Sequence, residues 1–495
     1  MRKALFTLIL LMGSLCLFGQ DQRRIVFHVI GAENQWLFLA NYYGNKLFYT
    51  DSTMADASGT ATFQRASGYR TGVYALLRGN AYVTFLVNEP ELELATAAGD
   101  LRGQFIVKRS TENQFYLDYM RFLNIQGNVK NDLERKRLNT TDPAAIKTFE
   151  KEAARVDQSI AGYQRDFVAQ HKGTLVAVMV GLEMAPEEKM FIGRDGGMDS
   201  AATAFHRRTH YWDNTELRNS DLVRIPAFQN KLDEYFSLAV AHEPDSINAA
   251  ADELLVRVSK SDELFKLILS RLTDRYNDPE VLGNDAVFVH LAQAYYCPAN
   301  GGTGRAAWKT KDELRSLCER ARKEAPLVLG AKAQELILPD TTGRKWIKLS
   351  EVPDEWTLVI FWSPHCSHCV SALPEIHKQY KEKLQPLGLQ VYAVAEASDS
   401  LLTADWKAFV HNHQLDWINV GLSSDVLKDI KKNRGKYVPG ITTEESLNYQ
   451  NSWNALNTPT FYLLDKEKRV AGKRMTPDQI IELINKRKAK EDRKR

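Results

Sequence analysis

Along residues 24–107 the apolar positions come in short runs rather than at helical spacing. IVFHVI (25–30), KLFYT (46–50), TATF (60–63), GVYALL (72–77) and YVTFLV (82–87) are rich in β-branched and aromatic residues, with Gly, Asn and Asp between them. This pattern predicts strands joined by turns, with Ser58-Gly59 as a hairpin turn, and so a small antiparallel β domain over 20–109. Near Ser110 the period becomes helical, and an all-α domain is expected over 110–325. Asp142-Pro143 reads as an N-cap with Pro at the first helical position. After it, Ile146, Phe149, Ala153, Val156, Ile160, Tyr163 and Phe167 recur at spacings of three and four, which builds a seam. The expected partner is the preceding helix around 115–138, with a second chain as the alternative. Ile247/Ala250/Leu254/Val258 and the 264–272 stretch predict further helices, and Thr310 with Glu313 forms a capping box for a helix to about Glu324.

Beyond a boundary at 326–332 strands and helices alternate, the signature of an α/β domain, here over 326–488. WTLVIFW (356–362) reads as a buried strand, followed by a helix with Cys369, Leu373, Ile376, Tyr380 and Leu384 on one face. LQVYAVA (389–395) predicts a strand and 406–411 a helix; 458–465 and 468–474 predict paired strands, and 478–486 a closing helix. The end, 489–495, is expected to be a solvated basic tail.

At 495 residues the chain has room for about three domains at ~150 residues each. Lys plus Arg total 65 against 62 for Asp plus Glu, a net charge of +3, which leaves no basic footprint for nucleic acid. At the start, Arg2 and Lys3 precede an apolar run from Ala4 to Phe18, the pattern of a cleaved secretory signal over 1–19. That run is shorter than the ~20 residues of a spanning helix, and Leu15 occupies the position before Cys16 where a lipid-anchor signal wants a small residue. Export without a membrane span is expected, leaving Cys297, Cys318, Cys366 and Cys369 in an oxidising compartment.

The chemistry concentrates in FWSPHCSHC (361–369), between the buried strand and a helix. Cys366 at a helix N-terminus meets unpaired N–H groups and the positive end of the helix dipole, both of which favour a thiolate. That thiolate attacks a disulfide, and Cys369 resolves the mixed disulfide. His368, when protonated, adds a further stabilising charge. This string, with Pro374 and a later Thr458-Pro459 before a strand, resembles the thioredoxin fold and in particular the exported TlpA/ResA-type thiol–disulfide oxidoreductases. The lead-in ELILPDTTGRKWIKLSEV (335–352) and the ending TPTFYLLDKEKRVAGKR are also similar. The resemblance implies that Cys366 attacks and Cys369 resolves through a Cys366–Cys369 redox disulfide. It also implies that Pro459 is the cis proline beside that pair and that no cofactor or metal is needed. Its partners would be client proteins with thiols or disulfides and an unidentified redox partner, in the periplasm or cell envelope of a Gram-negative bacterium. Cys-x-His-Cys further resembles the motif of the oxidant DsbA.

Two positions depart from the pattern: Ala372 stands where many TlpA/ResA-type proteins have Glu, and Ile360 where thioredoxin has a buried acid. Glu375 and Glu396 are the candidate replacements for moving the proton of Cys369. Upstream, HYWDN (210–214), IPAFQNKLDEY (225–235), HEPDSI (242–247) and RYNDPEVLGNDAVFVHLAQAYY (275–296) resemble uncharacterised domains that precede thioredoxin modules in exported envelope proteins.

Other features have plainer readings. Cys318 shares a helix face with Leu314, Leu317 and Ala321 and reads as a core thiol, with a bridge to Cys297 as the alternative. His206 and His210, one turn apart, and the set His365, Cys366, His368 and Cys369 are possible metal ligands, so a copper- or zinc-handling module is an alternative to exchange. A scaffold with weak redox turnover is another. Gly301-Gly302-Thr303-Gly304 lacks the Gly-Lys ending of a phosphate loop. Ser363 sits three residues before Cys366 as in peroxiredoxins, but the expected proline is Val359, and so near a second cysteine favours dithiol chemistry.

Overall fold

The computed structural model describes residues 23–186, 189–277, 283–298 and 304–492, with side chains as far as 489. The expected export signal, Cys16 and Gly301–Thr303 lie outside the described residues. The chain forms two compact units, one up to His242 with Ala249–Leu269, the other Glu243–Asn248 and the chain from Ser270 on. It is a multidomain protein: an N-terminal β domain, a helical middle and a C-terminal thioredoxin-like α/β domain.

The β domain has eight strands: β1 (Arg24–Ile30), β2 (Trp36–Tyr43), β3 (Lys46–Met54), β4 (Thr60–Phe63), β5 (Gly72–Arg78), β6 (Ala81–Val87), β7 (Glu91–Ala97) and β8 (Ile106–Arg109). They form two four-stranded sheets, ordered β4-β1-β7-β8 and β3-β2-β5-β6. Pairing is antiparallel as expected except between β1 and β7, which run parallel from Arg24↔Glu91 to Ile30↔Ala97. Alternate residues of both sheets, among them Ile25, Phe27, Leu37, Leu39, Phe85, Leu92 and Leu94, fill one core.

Next, α1 (Thr111–Leu138) and α2 (Pro143–Gln170) are antiparallel neighbours. Ser110 caps α1, accepting from Asn113 N–H, and Asp142 caps α2, accepting from Ala144 N–H. The apolar seam of α2 closes on α1 within the chain, as the spacing suggested: Phe122 stacks on Tyr163 at 3.9 Å and Tyr119 meets Phe167 at 5.6 Å. The helical region continues with α3 (Leu175–Glu183), α4 (Ser200–His210), α5 (Pro226–Glu234), α6 (Pro244–Arg257), α7 (Asp262–Asn277), α8 (Asp285–Leu291) and α9 (Lys311–Glu324). The Thr310–Glu313 capping box is present at the start of α9.

One expectation is corrected here. Cys318 is not a free core thiol but is bonded to Cys297, with Cα atoms 5.7 Å apart and a sequence separation of 21. The cause is placement: Cys297 is buried at the end of a π-turn, Ala292–Tyr296, that follows α8 and packs on α9. A helix face shows which residues pack, not which of them meets a second sulfur.

In the C-terminal domain a hairpin of β9 (Ile337–Pro339) and β10 (Trp346–Lys348) precedes a five-stranded sheet ordered β13-β12-β11-β14-β15. The sheet comprises β11 (Trp356–Trp362), β12 (Leu389–Ala395), β13 (Ile418–Gly421), β14 (Thr460–Leu464) and β15 (Val470–Lys473). β12 and β13 join parallel and β14 and β15 antiparallel. The longer helices are α10 (Ser367–Gln379), α11 (Ser400–Asn412), α12 (Ser424–Lys432) and α13 (Pro477–Asp492). α13 thus runs into the segment expected as a tail.

Every residue of the central strand β11 is buried because both faces of the sheet are covered. Leu358, Ile360 and Trp362 face a core with Leu373 of α10, Trp406 of α11 and Ile480 and Ile484 of α13. Val359 and Phe361 face the other, with Leu336, Leu338, Tyr449 and Trp453. A parallel sheet presents a site at the carboxyl ends of its strands, and β11 ends at Trp362, four residues before Cys366. Within this unit, Lys473 of β15 pairs with Asp285 of α8 and donates to the Leu327 carbonyl at 3.0 Å.

Candidate active site

Cys366 is the N-cap of α10. Its Sγ accepts from Cys369 N–H at 3.3 Å, so the sulfur holds one of the N–H groups that a helix start leaves unpaired. The same Sγ lies 3.3 Å from the carbonyl oxygen of Thr458. The Thr458-Pro459 bond is cis. Three chain segments therefore meet at one sulfur: the end of β11, the start of α10 and the turn into β14.

The two thiols differ. Cys366 is partly exposed and Cys369 fully buried. Burial raises the Cys366 thiol, but hydrogen bonds to its sulfur from the Cys369 thiol and N–H, the Thr458 hydroxyl and the His368 N–H outweigh it, and the net shift is downward. For Cys369 burial dominates, the bond to the Cys366 sulfur adds to it, and the thiol is pushed up to about 11. One sulfur is thus the easier to ionise and its neighbour is held as thiol, the division of labour that attack and resolution require.

The other candidate residues are distributed as follows. His368 is exposed in the first turn of α10, and its N–H is what reaches Cys366. His365 leans the other way: its Nε2 is 2.7 Å from Asp405 Oδ2 on α11. Ala372 is half-buried and Ile360 fully buried, so neither position offers an acid. Glu375 is exposed and accepts from Gln379 Nε2 at 3.1 Å. Glu396 follows β12, half-buried, with its N–H on the Trp362 carbonyl at 2.9 Å. Asp405 was not among the residues the sequence singled out, because its partner His365 is 40 positions away and no local pattern joins them.

His206 and His210 do stack, at 4.2 Å, but His210 Nδ1 is 2.7 Å from Asp213 Oδ2. Among the described residues no group of three or more His, Cys, Asp or Glu is gathered to hold a metal ion, at the histidine pair or at the cysteines.

Residues 329–473 match the AhpC/TSA family, a thioredoxin-like domain, and residues 200–303 match a domain of unknown function (DUF5106). No curated protein matches. Among solved structures, a thioredoxin-like protein from Bacteroides caccae is 19% identical, with 57% of this chain and 92% of that one covered at a TM-score of 0.38. A domain of a possible thiol-disulfide isomerase from Cytophaga hutchinsonii is 28% identical over 34% of this chain and 98% of its own, with a TM-score of 0.27. A thiol:disulfide interchange protein from Bacteroides sp. is 22% identical over 32% and 89%, with a TM-score of 0.24.

Proposed function

We propose that the C-terminal domain is a thiol–disulfide oxidoreductase of the TlpA/ResA type that exchanges disulfides with client proteins through Cys366 and Cys369. The observation that carries this is the paired thiols at the start of α10, opposite in their shifts, with Cys366 Sγ 3.3 Å from the carbonyl before a cis proline. In the reducing direction the Cys366 thiolate attacks one sulfur of a client disulfide. A Cys366–client bond forms, the client S–S bond breaks, and the leaving thiolate takes a proton from solvent. Cys369 then loses its proton and attacks Cys366 Sγ, closing the Cys366–Cys369 bond and expelling the second client thiol. Two electrons pass from the pair to the client, and the reverse sequence oxidises a client dithiol.

No cofactor enters either direction. Pro459 and His368 would act as positioning residues, the first shaping the wall opposite the sulfur, the second through its backbone N–H to that sulfur. The deprotonation of Cys369 falls to solvent or Glu396, since Glu375 is turned to Gln379. Export to the periplasm or cell envelope is part of this proposal, supported by the signal pattern of residues 1–19 and by the Cys297–Cys318 bond, which persists in an oxidising compartment. No described helix is long and apolar enough to cross a membrane.

The test is a pair of variants of the full chain. Cys366→Ser abolishes exchange with a disulfide-bonded protein substrate, and Cys369→Ser accumulates a mixed disulfide at Cys366 that a reductant releases. Full exchange activity in Cys366→Ser refutes the assignment.

A further inference from the structure

The two sheets of the β domain differ on their outer faces. The β4-β1-β7-β8 sheet turns polar side chains to water, Arg24 paired with Glu91 at 2.7 Å and His28 bonded to Glu93 at 2.9 Å, while Ile25, Phe27, Leu92 and Leu94 point inward. The β3-β2-β5-β6 sheet does not follow this rule. On β2, Leu37 and Leu39 fill the core, and Trp36 and Phe38, alternating with them, point outward at 54% and 37% exposure. Edge strand β3 adds Tyr49 (76%) and Met54 (50%). Met54 stands opposite Trp36 in the register, and the Tyr49 ring meets Phe38 edge-on at 6.0 Å. No residue of β3 is buried, so these side chains add nothing to the core of their own domain. Farther along β2 the helical region takes over, with Ala40 fully buried and Gly44 N–H on the Val223 carbonyl at 2.7 Å. With roughly 150–250 Å² for a full aromatic side chain, the four exposures leave about 400 Å² of apolar surface in water, the size of patch that marks a contact site.

We infer that this face is the contact between two copies of the chain, packed sheet on sheet about a two-fold axis. The patch is uncharged, and so is Ser52, which stands opposite Phe38, so the face meeting its own copy brings no like charges together. A stable dimer buries roughly 800 Å² per partner around an apolar centre, and a centre of about 400 Å² leaves an ordinary polar rim to supply the rest. An extended client segment is the poorer occupant, because it needs the free edge of β3 and that edge is blunted. Asp51 pairs with Leu39 and Tyr49 with Ala40, which leaves Thr50 out of the ladder, and Arg65 Nη1 donates to the Thr50 carbonyl at 3.2 Å. The pairing goes beyond the exchange reading and does not depend on it. It places two Cys366–Cys369 pairs in one particle.

The experiment measures the mass of the purified full chain by sedimentation velocity over a hundredfold dilution series. Alongside it, the rate at which peroxide oxidises Met54 is followed at each dilution, with Cys366 alkylated beforehand. The expected result is a particle of twice the chain's mass at the concentrated end. Met54 oxidation should be at least fivefold slower there than in the dilute sample, while Met190, exposed in the helical region, keeps one rate throughout. Tyr49→Arg sets like charges against each other across the axis, and Phe38→Ser removes a central ring. Each should weaken the pairing at least tenfold and leave the rate of disulfide exchange within twofold. Met54 is read in the unsubstituted chain, so a variant that fails to fold does not decide the outcome. A chain that is monomeric throughout with a single Met54 rate overturns the inference, and so does a dimer that neither variant weakens. A monomer that binds a reduced, unfolded protein and loses it in Tyr49→Arg assigns the face to clients and overturns it too. In all three cases the exchange reading stands, because it is tested at Cys366.

Discussion

The contrast between Cys366 and Cys369 has a consequence for alkylation that can be worked out numerically. With its thiol near 11, Cys369 is thiolate in only about one molecule in 10⁴ at pH 7, against about one in 100 for an ordinary thiol at 9.0. Cys366 lies below that ordinary value, so its thiolate fraction exceeds one in 100, and the ratio of the two fractions is at least about 100. Intrinsic nucleophilicity works against this, because a thiolate of lower pKa attacks more slowly, with a Brønsted slope of about 0.4–0.5. Over the ~2 pH units to the ordinary value that takes back a factor of roughly 6 to 10 and leaves Cys366 about ten times faster or more. The complete burial of Cys369 widens the gap. The assay is a brief iodoacetamide pulse on the reduced native protein across pH 5–10, with the label located by fragment mass spectrometry. Cys366 should label first, its rate rising to a plateau with a midpoint below that of a free thiol. Cys369 should stay nearly unlabelled until the pH approaches 11 or the protein unfolds. Equal labelling at pH 7, or Cys369 labelling first, refutes the assignment of attacking and resolving thiols.

Two further outcomes concern stability. Replacing Cys297 and Cys318 together by Ala opens a loop spanning 21 residues of separation, and loop-closure entropy sets the expected loss at about 3 kcal/mol, read as a lower denaturant midpoint with unchanged slope. A loss under ~0.5 kcal/mol would mean that the bond is not formed in the native protein. Asp285→Asn removes the partner of Lys473 in an ion pair whose side chains are 14% and 15% exposed. Leaving the ammonium mostly buried costs on the order of 2 kcal/mol, less than a fully buried pair because some water remains, and Lys473→Met with Asp285→Asn should recover part of it. A double variant no more stable than Asp285→Asn contradicts that reasoning.

The α/β domain was legible because its signals are local. The continuous apolar run of β11, the CxxC at a strand–helix junction and Thr-Pro before β14 each fall within a few residues. The same holds for α2 and α9, whose caps and apolar spacing are read along the chain. Strands β2 and β7 escaped notice for physical reasons. The bulge between Leu39 and Ala40 breaks the alternation of β2, and β7 intersperses Glu, a poor strand former, with its buried Leu92 and Leu94. Nothing in the sequence marks β1 and β7 as a parallel pair, since that depends on which strands the fold brings side by side. Cys297 with Cys318 and His365 with Asp405 were hidden for the same reason, each being joined by packing across 21 and 40 residues. The opposite shifts of the two active-site thiols were half visible. The helix start that lowers Cys366 is written in the motif, whereas the burial that raises Cys369 comes from the closed core around Trp362, Leu373 and Trp406.

The central claim is that Cys366 and Cys369 form one two-electron couple, and a redox titration of the full chain tests it most directly. The metal-free protein is equilibrated across a series of dithiothreitol ratios, quenched with acid and counted for free thiols by alkylation and mass. The account predicts that two thiols, both mapping to Cys366 and Cys369, appear and disappear together on a single Nernst curve with n = 2, while Cys297 and Cys318 remain bonded through that transition. A Cys366–Cys369 pair that never closes, or that closes only by bonding to Cys297 or Cys318, contradicts it.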